Sequence, residues 1–214
     1  ENEPISDIDL MERASLQISG WLIKRFTTEQ KMIFFAGPGN NGGDALAIAR
    51  QMAELDFICE VYLLDFGKEL KGSPAINWQR LEEQNKVKCS KIKSINDFPE
   101  IEANSVILDG LCGSGLTRSL NDLPAKVVKR INLLRNTIVA IDIPSGLMGE
   151  DNSQNNTENI IQADFTLTFQ FPKISFLFAE NEKYVGELEV LPIGLHPAGI
   201  AKTPSDYYFI EGKE

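Results

Sequence analysis

Short apolar runs alternate with amphipathic helical segments along this chain, and this alternation constrains the fold more than any other feature. Seven runs have the length and composition of buried strands. They are MIFFA (32–36), CEVYLLD (59–65), VKCSKI (87–92), SVILD (105–109), TIVAID (137–142), ADFTLTF (163–169) and GELEVLP (186–192). Strands that alternate with helices predict an α/β fold, with an open, mostly parallel sheet and helices on both faces.

Four segments between these runs are predicted to be helices. Ser6 and Asp9 form a variant of the capping box at the start of the first helix. The predicted helices cover about 7–26, a stretch from Gly43 through DALAIARQMAEL, a stretch from Ser73-Pro74, and 123–134. The Asn-rich stretch 150–159 is expected to be an exposed loop. No repeat and no second core-sized unit after Pro192 is found, so the sequence predicts one domain over 1–214.

The charge balance narrows the classes of partner. The chain has 31 acidic and 21 basic residues, which gives a net charge of −10. Nucleic-acid-binding surfaces are normally basic, so we expect no nucleic-acid partner, and an anionic membrane surface is disfavoured as well. A small anionic ligand is still compatible, because a local site can be positive on an acidic protein.

Cysteine and histidine usage excludes several kinds of site. Three cysteines without a CxxC pair do not suit a disulfide framework or a thiolate zinc site. The chain has one histidine, His196, in its C-terminal part, so we expect neither a histidine metal cluster nor a Ser–His–Asp triad. The sequence has no secretory signal and no apolar run of about 18 residues, so the expected location is the cytoplasm.

The first unusual strand end is GPGNNGGD, Gly37–Asp44, between a strand and a helix. Its glycines allow close approach of a ligand, and free N–H groups at a helix start favour phosphate or carboxylate. A tight turn without any ligand is the alternative, but two adjacent asparagines are more than a simple turn needs. The absence of Gly-Lys-Ser/Thr excludes a Walker A loop.

Two further strand ends carry polar, glycine-bearing turns. In DGLCGSGL, Asp109 either binds a cation or hydroxyl or caps its own turn, and Cys112 is expected to be a bystander thiol because no histidine can activate it. In IDIPSG, Asp142 ends an apolar strand, where a carboxylate is costly unless it is paired or functional. Lys173 and Arg118 could reach an anion at this edge, although each alone is best interpreted as a solvated surface residue.

Together these motifs resemble those of the NAD(P)H-hydrate epimerase family, the YjeF N-terminal domain. LMERAS (10–15), GPGNNGGDALAIAR, the 109–116 loop, AIDIPSGL and ADFTLTF…PK occur in the family's order and spacing over residues 5 to 195. The resemblance implies a three-layer α/β/α Rossmann-like domain. It also implies interconversion of the R and S epimers of NADHX and NADPHX, nicotinamide cofactors hydrated at C6.

The resemblance also implies roles for particular residues. The NNGGD segment would hold the substrate, as would the loop after Asp109, and Asp142 would both contact substrate and carry the chemistry. The implied substrate-binding residues are Asn40, Asn41, Gly42, Gly43, Asp44, Gly113, Ser114, Gly115, Leu116, Thr117, Arg118, Ser119 and Asp142. A potassium ion would be held by Asn41, Asp109 and Ser145, all of which bear oxygen. Ala45 departs from the family pattern, where many members have glycine.

The resemblance further implies a homodimer and functional coupling to an ADP- or ATP-dependent dehydratase. The chain would then be an epimerase alone or the front half of a bifunctional protein, with the junction near Tyr207–Glu214. One alternative is a non-catalytic binding or dimerisation module on the same fold. Another alternative is an NAD-dependent dehydrogenase in which Asp65 binds the ribose. Asp65 lies 28 residues after Gly37, however, whereas the ribose-binding acid of such enzymes lies ~20 residues after the glycine-rich turn.

Asp142 is expected to act as an acid and then as a base. Protonation of the C6 hydroxyl would let water leave, helped by the ring nitrogen, and water would then return on the other face. A ring-opening route is equally compatible with the sequence.

Overall fold

A seven-stranded, wholly parallel sheet forms the centre of the molecule. The computed structural model describes residues 4–65, 67, 69–205 and 207. The strands are β1 (Met32–Ala36), β2 (Cys59–Leu64), β3 (Lys88–Ile92), β4 (Val106–Gly110), β5 (Thr137–Ile141), β6 (Phe165–Phe169) and β7 (Glu187–Leu191). Their order is β3-β2-β1-β4-β5-β6-β7, and every neighbouring pair is parallel. The predicted α/β class is therefore confirmed.

Six α-helices lie along the described chain. They are α1 (Asp7–Arg25), α2 (Asn40–Glu54), α3 (Ser73–Gln84), α4 (Asp122–Asn132), α5 (Glu182–Val185) and α6 (Pro197–Lys202). The side chain of Ser6 caps α1 by accepting a hydrogen bond from the Asp9 N–H at 3.2 Å. Short 3-10 turns occupy Ile95–Asp97, Thr157–Asn159, Ile174–Leu177 and Ala179–Asn181.

Both faces of the sheet are buried, as the unbroken apolar strands require. Along β1, Phe34 packs with Ile18 of α1 and Leu46 of α2, in a cluster that also holds α3. The next residue, Phe35, packs on the opposite face in the cluster that contains Val127 of α4. Three helices thus cover one face, while α4 and its adjoining turns cover the other, which gives three layers.

Three local expectations are wrong. Helix α2 begins at Asn40, three residues before the predicted start at Gly43, so the NNGGD segment is helical. Helix α4 ends at Asn132, and Leu134 lies beyond it. The stretch 150–159 ends in a 3-10 turn, and Asn159 is buried there, so this loop is not wholly exposed.

No helix in the described part of the chain is long and apolar enough to cross a membrane. Except for Tyr207, the expected junction at Tyr207–Glu214 lies outside the described residues.

Candidate active site at the carboxyl edge of the sheet

The predicted site residues follow strands at the point where the strand order reverses. From β1 the chain proceeds to β2 on one side, whereas β4, the other neighbour of β1, leads to β5 on the opposite side. Such a switch point leaves a crevice beyond the carboxyl ends of the two strands, where α/β proteins bind ligands. The NNGGD segment follows β1 and the Asp109 loop belongs to β4.

The first turn of α2 presents unused backbone donors to this crevice. The N–H of Gly43 donates to the Gly39 carbonyl at 3.0 Å, and Gly39 is therefore the N-cap of α2. The three N–H groups between these two residues have no partner within the helix. These donors belong to Asn40, Asn41 and Gly42. A helix N-terminus with free donors attracts anions.

The glycines near this turn serve two purposes. A Cβ on Gly42 would lie 1.8 Å from the Gly37 carbonyl oxygen, and one on Gly37 would lie 1.8 Å from that of Leu111. These two glycines therefore let the chain pack against itself. Gly39, by contrast, has nothing within 4 Å of its Cβ position, so there the backbone is open to a ligand.

The three predicted cation ligands are linked to one another through the Cys112 carbonyl and Ser145. Asn41 Nδ2 donates to that carbonyl at 2.9 Å, and Ser145 Oγ lies 3.3 Å from it. Ser145 also donates to Asp109, through Oγ to Oδ1 at 2.6 Å and through its N–H to Oδ2 at 2.7 Å. The structure therefore brings Asn41, Asp109 and Ser145 together.

Two features of this oxygen cluster fit a hard monovalent cation. Asn41 Oδ1 is buried without a hydrogen-bond partner. Asp109 is fully buried, and this burial raises the pKa of its carboxyl to about 6, against the lowering effect of the bonds from Ser145 and Leu111. A nearby cation would compensate both the orphaned oxygen and the buried carboxylate. No group of three or more His, Cys, Asp or Glu side chains with metal-binding geometry occurs in the described ranges, so a transition-metal site has no support there.

Asp142 lies just beyond β5 and is held in a defined orientation. Its φ of 64° is left-handed, a conformation that Asp tolerates better than most residues. Its Oδ1 accepts from Lys173 Nζ at 2.7 Å, from Thr168 Oγ1 at 3.2 Å and from the Phe169 N–H at 3.2 Å. No partner of Oδ2 is found in the described chain, so one oxygen anchors the carboxylate and the other is available.

The interpretation of Lys173 as a solvated surface residue is wrong. Its side chain is only 20% exposed, and it forms an ion pair with Asp142. The order of the strands explains this pair. Because β5 and β6 are parallel neighbours, the DIPSG turn after β5 and the FPK turn after β6 meet at one edge of the sheet. Sequence reasoning also missed Thr168, whose hydroxyl supports the same carboxylate.

The loop after Asp109 divides into an inner and an outer part. A Cβ added to Gly113 would lie 3.2 Å from Asn41 Cβ, so Gly113 packs closely against Asn41. Leu116 is half-buried. Ser114 and Gly115 are exposed, as are Thr117 and Arg118. Ser119 donates to Asn155 Oδ1 at 2.8 Å and accepts from the Asn156 N–H, so it connects this loop to the Asn-rich stretch.

Asp44 lies one turn into α2 and lines a cleft of about 330 Å³ between α1, α2 and the start of α3. The cleft is also lined by Asn40, Lys71 and Phe169, the residue whose N–H binds Asp142. A larger opening of about 580 Å³ adjoins it at Gly39, Asn40 and Lys71.

The chain matches the family described as YjeF-related protein N-terminus over residues 7–175. It is 30% identical over 188 residues to an NAD(P)H-hydrate epimerase of Rhodopirellula baltica, covering 88% of this chain and 75% of that one. It is 32% identical to one from Weissella koreensis, with 90% and 83% covered. A bifunctional NAD(P)H-hydrate repair enzyme of Dictyoglomus turgidum is 32% identical, but the chain spans only 37% of its length.

Among solved structures, the yeast protein ynu0, YNL200c, is similar with a TM-score of 0.74. The match covers 91% of this chain and 86% of the yeast chain at 18% identity, so it supports the fold alone.

Proposed function

This chain belongs to the family of YjeF-related N-terminal domains, and we propose on that premise that it is an NAD(P)H-hydrate epimerase, an isomerase. The relatives of comparable length carry that name. The proposed substrates are NADHX and NADPHX, which are interconverted between their R and S forms at nicotinamide C6.

The observation that carries the proposal is the Asp142 carboxylate at the carboxyl edge. One of its oxygens is fixed by Lys173, Thr168 and the Phe169 N–H, and the other is free. A carboxylate so oriented can exchange a proton with a hydroxyl placed against it. The elimination route needs such a group, because on that route the C6 hydroxyl must be protonated before it leaves as water.

The free N–H groups at the start of α2 are the proposed contacts for the negatively charged part of the dinucleotide. They supply local positive potential on a protein whose net charge is −10. Ser114 and Gly115, in the exposed part of the loop after Asp109, add polar backbone on the other side of the crevice.

We further propose that Asn41, Asp109 and Ser145 hold a potassium ion. Asn41 and Ser145 both contact the Cys112 carbonyl, Ser145 also binds Asp109, and the orphaned Asn41 Oδ1 would gain a partner when an ion binds. A bound potassium ion supplies a fixed positive charge beside the buried Asp109 carboxylate. The role of the three side chains is to orient the 109–113 loop toward the start of α2.

The test of the epimerase proposal is an epimer-resolved chromatographic assay. A mixture of R- and S-NADHX is supplied with a separate dehydratase that consumes only the S form, and loss of the R form is followed. The wild-type chain should convert the R form, and Asp142→Asn should lower that turnover by ~10² or more. If the folded chain leaves the R form unchanged, the chain is a non-catalytic module on the same fold.

The potassium proposal has a readout that does not depend on activity. Thermal unfolding is compared in KCl and NaCl at equal ionic strength, where an ion bound to the native state raises the midpoint by mass action. The wild type should melt higher in KCl. Ser145→Ala should lose this difference, and Ser205→Ala, at an exposed position, should keep it. Equal midpoints for the wild type would contradict the proposal.

The dehydratase partner is proposed from the relatives. Bifunctional repair enzymes contain a region like this chain as 34% to 41% of their length. We propose that this epimerase supplies a dehydratase in the cytoplasm, either fused or separate, and that it acts as a homodimer.

A further inference from the structure

A second carboxyl group, Asp44, lines a cleft that is also lined by Phe169, the residue whose N–H binds Asp142. Asp44 is only 9% exposed, and its carboxyl has no hydrogen-bond or ion-pair partner within the described ranges. A buried polar group without a partner destabilises the native state, so the position of Asp44 needs a reason other than stability. The cleft that it lines is one such reason.

The two carboxyl groups have different surroundings. Burial raises the pKa of Asp44 well above its usual range, and the nearby Asp142 charge raises it further. Asp142 has an ammonium group 2.7 Å away, which stabilises its negative charge. Two carboxyl groups in different surroundings can divide the roles of proton donor and proton acceptor.

The two groups lie on different elements at the carboxyl edge of the sheet. Asp44 belongs to the helix that follows β1, while Asp142 follows β5, and β4 lies between those strands. Asp142 is close enough to Asp44 for its charge to act on the Asp44 carboxyl. In enzymes that replace a leaving group by water with inversion, two carboxyls about 6.5–9.5 Å apart flank the reacting carbon. Phe169, which lines the Asp44 cleft and bonds to Asp142, connects the two sides.

We propose that Asp44 is the second catalytic acid–base group and serves the face of the nicotinamide ring opposite to Asp142. Asp44 in its acid form gives its proton to the C6 hydroxyl, the C6–O bond breaks, and the nitrogen lone pair forms a C=N bond as water leaves. Water adds to C6 from the other face and gives its extra proton to Asp142, while the C=N electrons return to nitrogen. Atoms and charge balance, and proton exchange with solvent restores the starting state. The opposite epimer reacts with the roles reversed.

This inference rests on the proposed epimerase function, and the experiment separates the two. Wild type, Asp44→Asn and Asp142→Asn are assayed from each pure epimer by chromatography, in water enriched in oxygen-18. Asp56→Asn is the matched control, because Asp56 is exposed at the far end of α2 and its φ of 64° suits asparagine. Thermal midpoints verify that each variant is folded, and Asp44→Ala provides a second variant without a carboxyl.

Asp44→Asn and Asp142→Asn should each lower the kcat of epimerisation by ~10² or more from either epimer, with little change in KM. The Asp56→Asn control should match the wild type. Each should still exchange oxygen-18 into one epimer without inverting it, because one working face remains. The two variants should label opposite epimers.

Three results would overturn the assignment. Near-wild-type conversion by Asp44→Asn or folded Asp44→Ala would leave Asp142 as the sole acid–base group. A change confined to KM would make Asp44 a binding residue, and labelling of the same epimer by both variants would place them on one face. A wild type inactive toward both epimers would reject the epimerase proposal itself.

Discussion

At the scale of single residues, the site depends on a few side chains whose partners lie mostly on other elements of the fold. Asp142 is oriented by three donors from the end of β6 and the turn that follows it. Sequence alone identified Asp142 as unusual, since a carboxylate ends an apolar run. It could not identify Lys173 as the partner, because pairing across strands depends on a strand order that no local pattern encodes.

Removing Lys173 should destabilise the protein. Lys173→Met leaves the Asp142 carboxylate partly buried without its ammonium partner, and we expect a loss of about 1–3 kcal/mol in the free energy of unfolding. Urea denaturation measures it. In the double variant Lys173→Met/Asp142→Asn the two effects should not add, because the second change removes the uncompensated charge. Strictly additive effects would mean that the pair contributes no coupling.

At the scale of elements, strand positions were readily predictable and helix boundaries near the site were not. All seven predicted strands occur, and the five inner ones are largely apolar because they are buried, whereas the edge strands β3 and β7 are mostly half-buried or exposed. The start of α2 was placed too late, since Asn and Gly are poor helix formers. Tertiary packing overrides this preference: Gly42 fits beneath the Gly37 carbonyl, and Gly43 fits against Met11 and Pro74.

The DIPSG turn gives a prediction at this scale. Gly146 has a φ of 95°, and a Cβ there would lie 2.1 Å from the Asn159 carbonyl oxygen. Gly146→Ala should therefore reduce the free energy of unfolding by at least about 2 kcal/mol. Gly20→Ala is the control, because Gly20 lies within α1 with nothing within 4 Å of its Cβ position, and it should add about 0.5–1 kcal/mol. Equal unfolding midpoints for the two variants would contradict this account of the turn.

At the scale of the whole molecule, the excess of acidic residues predicts the charge of the surface better than the charge of the ligand that the site binds. Three acids of the site, Asp44, Asp109 and Asp142, are buried, and the positive elements near them are local: helix N–H groups and Lys173. Composition therefore limits the kinds of macromolecular partner but does not predict the charge of a small ligand. The groups that determine the latter are brought together only by the fold.

Burial also controls the chemistry of the three cysteines. Burial raises the pKa of Cys59 and of Cys112 to about 12. Burial and the nearby Glu82 charge together raise the pKa of Cys89 to about 11. The thiolate is the reactive form, so at pH 8 the folded protein should react with a thiol-specific reagent roughly 10²-fold more slowly than the unfolded chain. The rate should rise with pH up to about 11, where Cys89 ionises. Rapid modification of the native protein at pH 8 would show that a thiol is more accessible than the structure indicates.

The central strand pair has a consequence for how this molecule acquires its structure. Met32 of β1 is paired with Val106 of β4, and these residues are 74 positions apart in the chain. Contacts between such distant positions form slowly, since a long loop must close before the pairing contributes any stability. The crevice lies at the end of this pair. A growing polypeptide on the ribosome therefore has no complete crevice until β4 has emerged and paired with β1, and Asp142 and Lys173 are added later still, with β5 and β6.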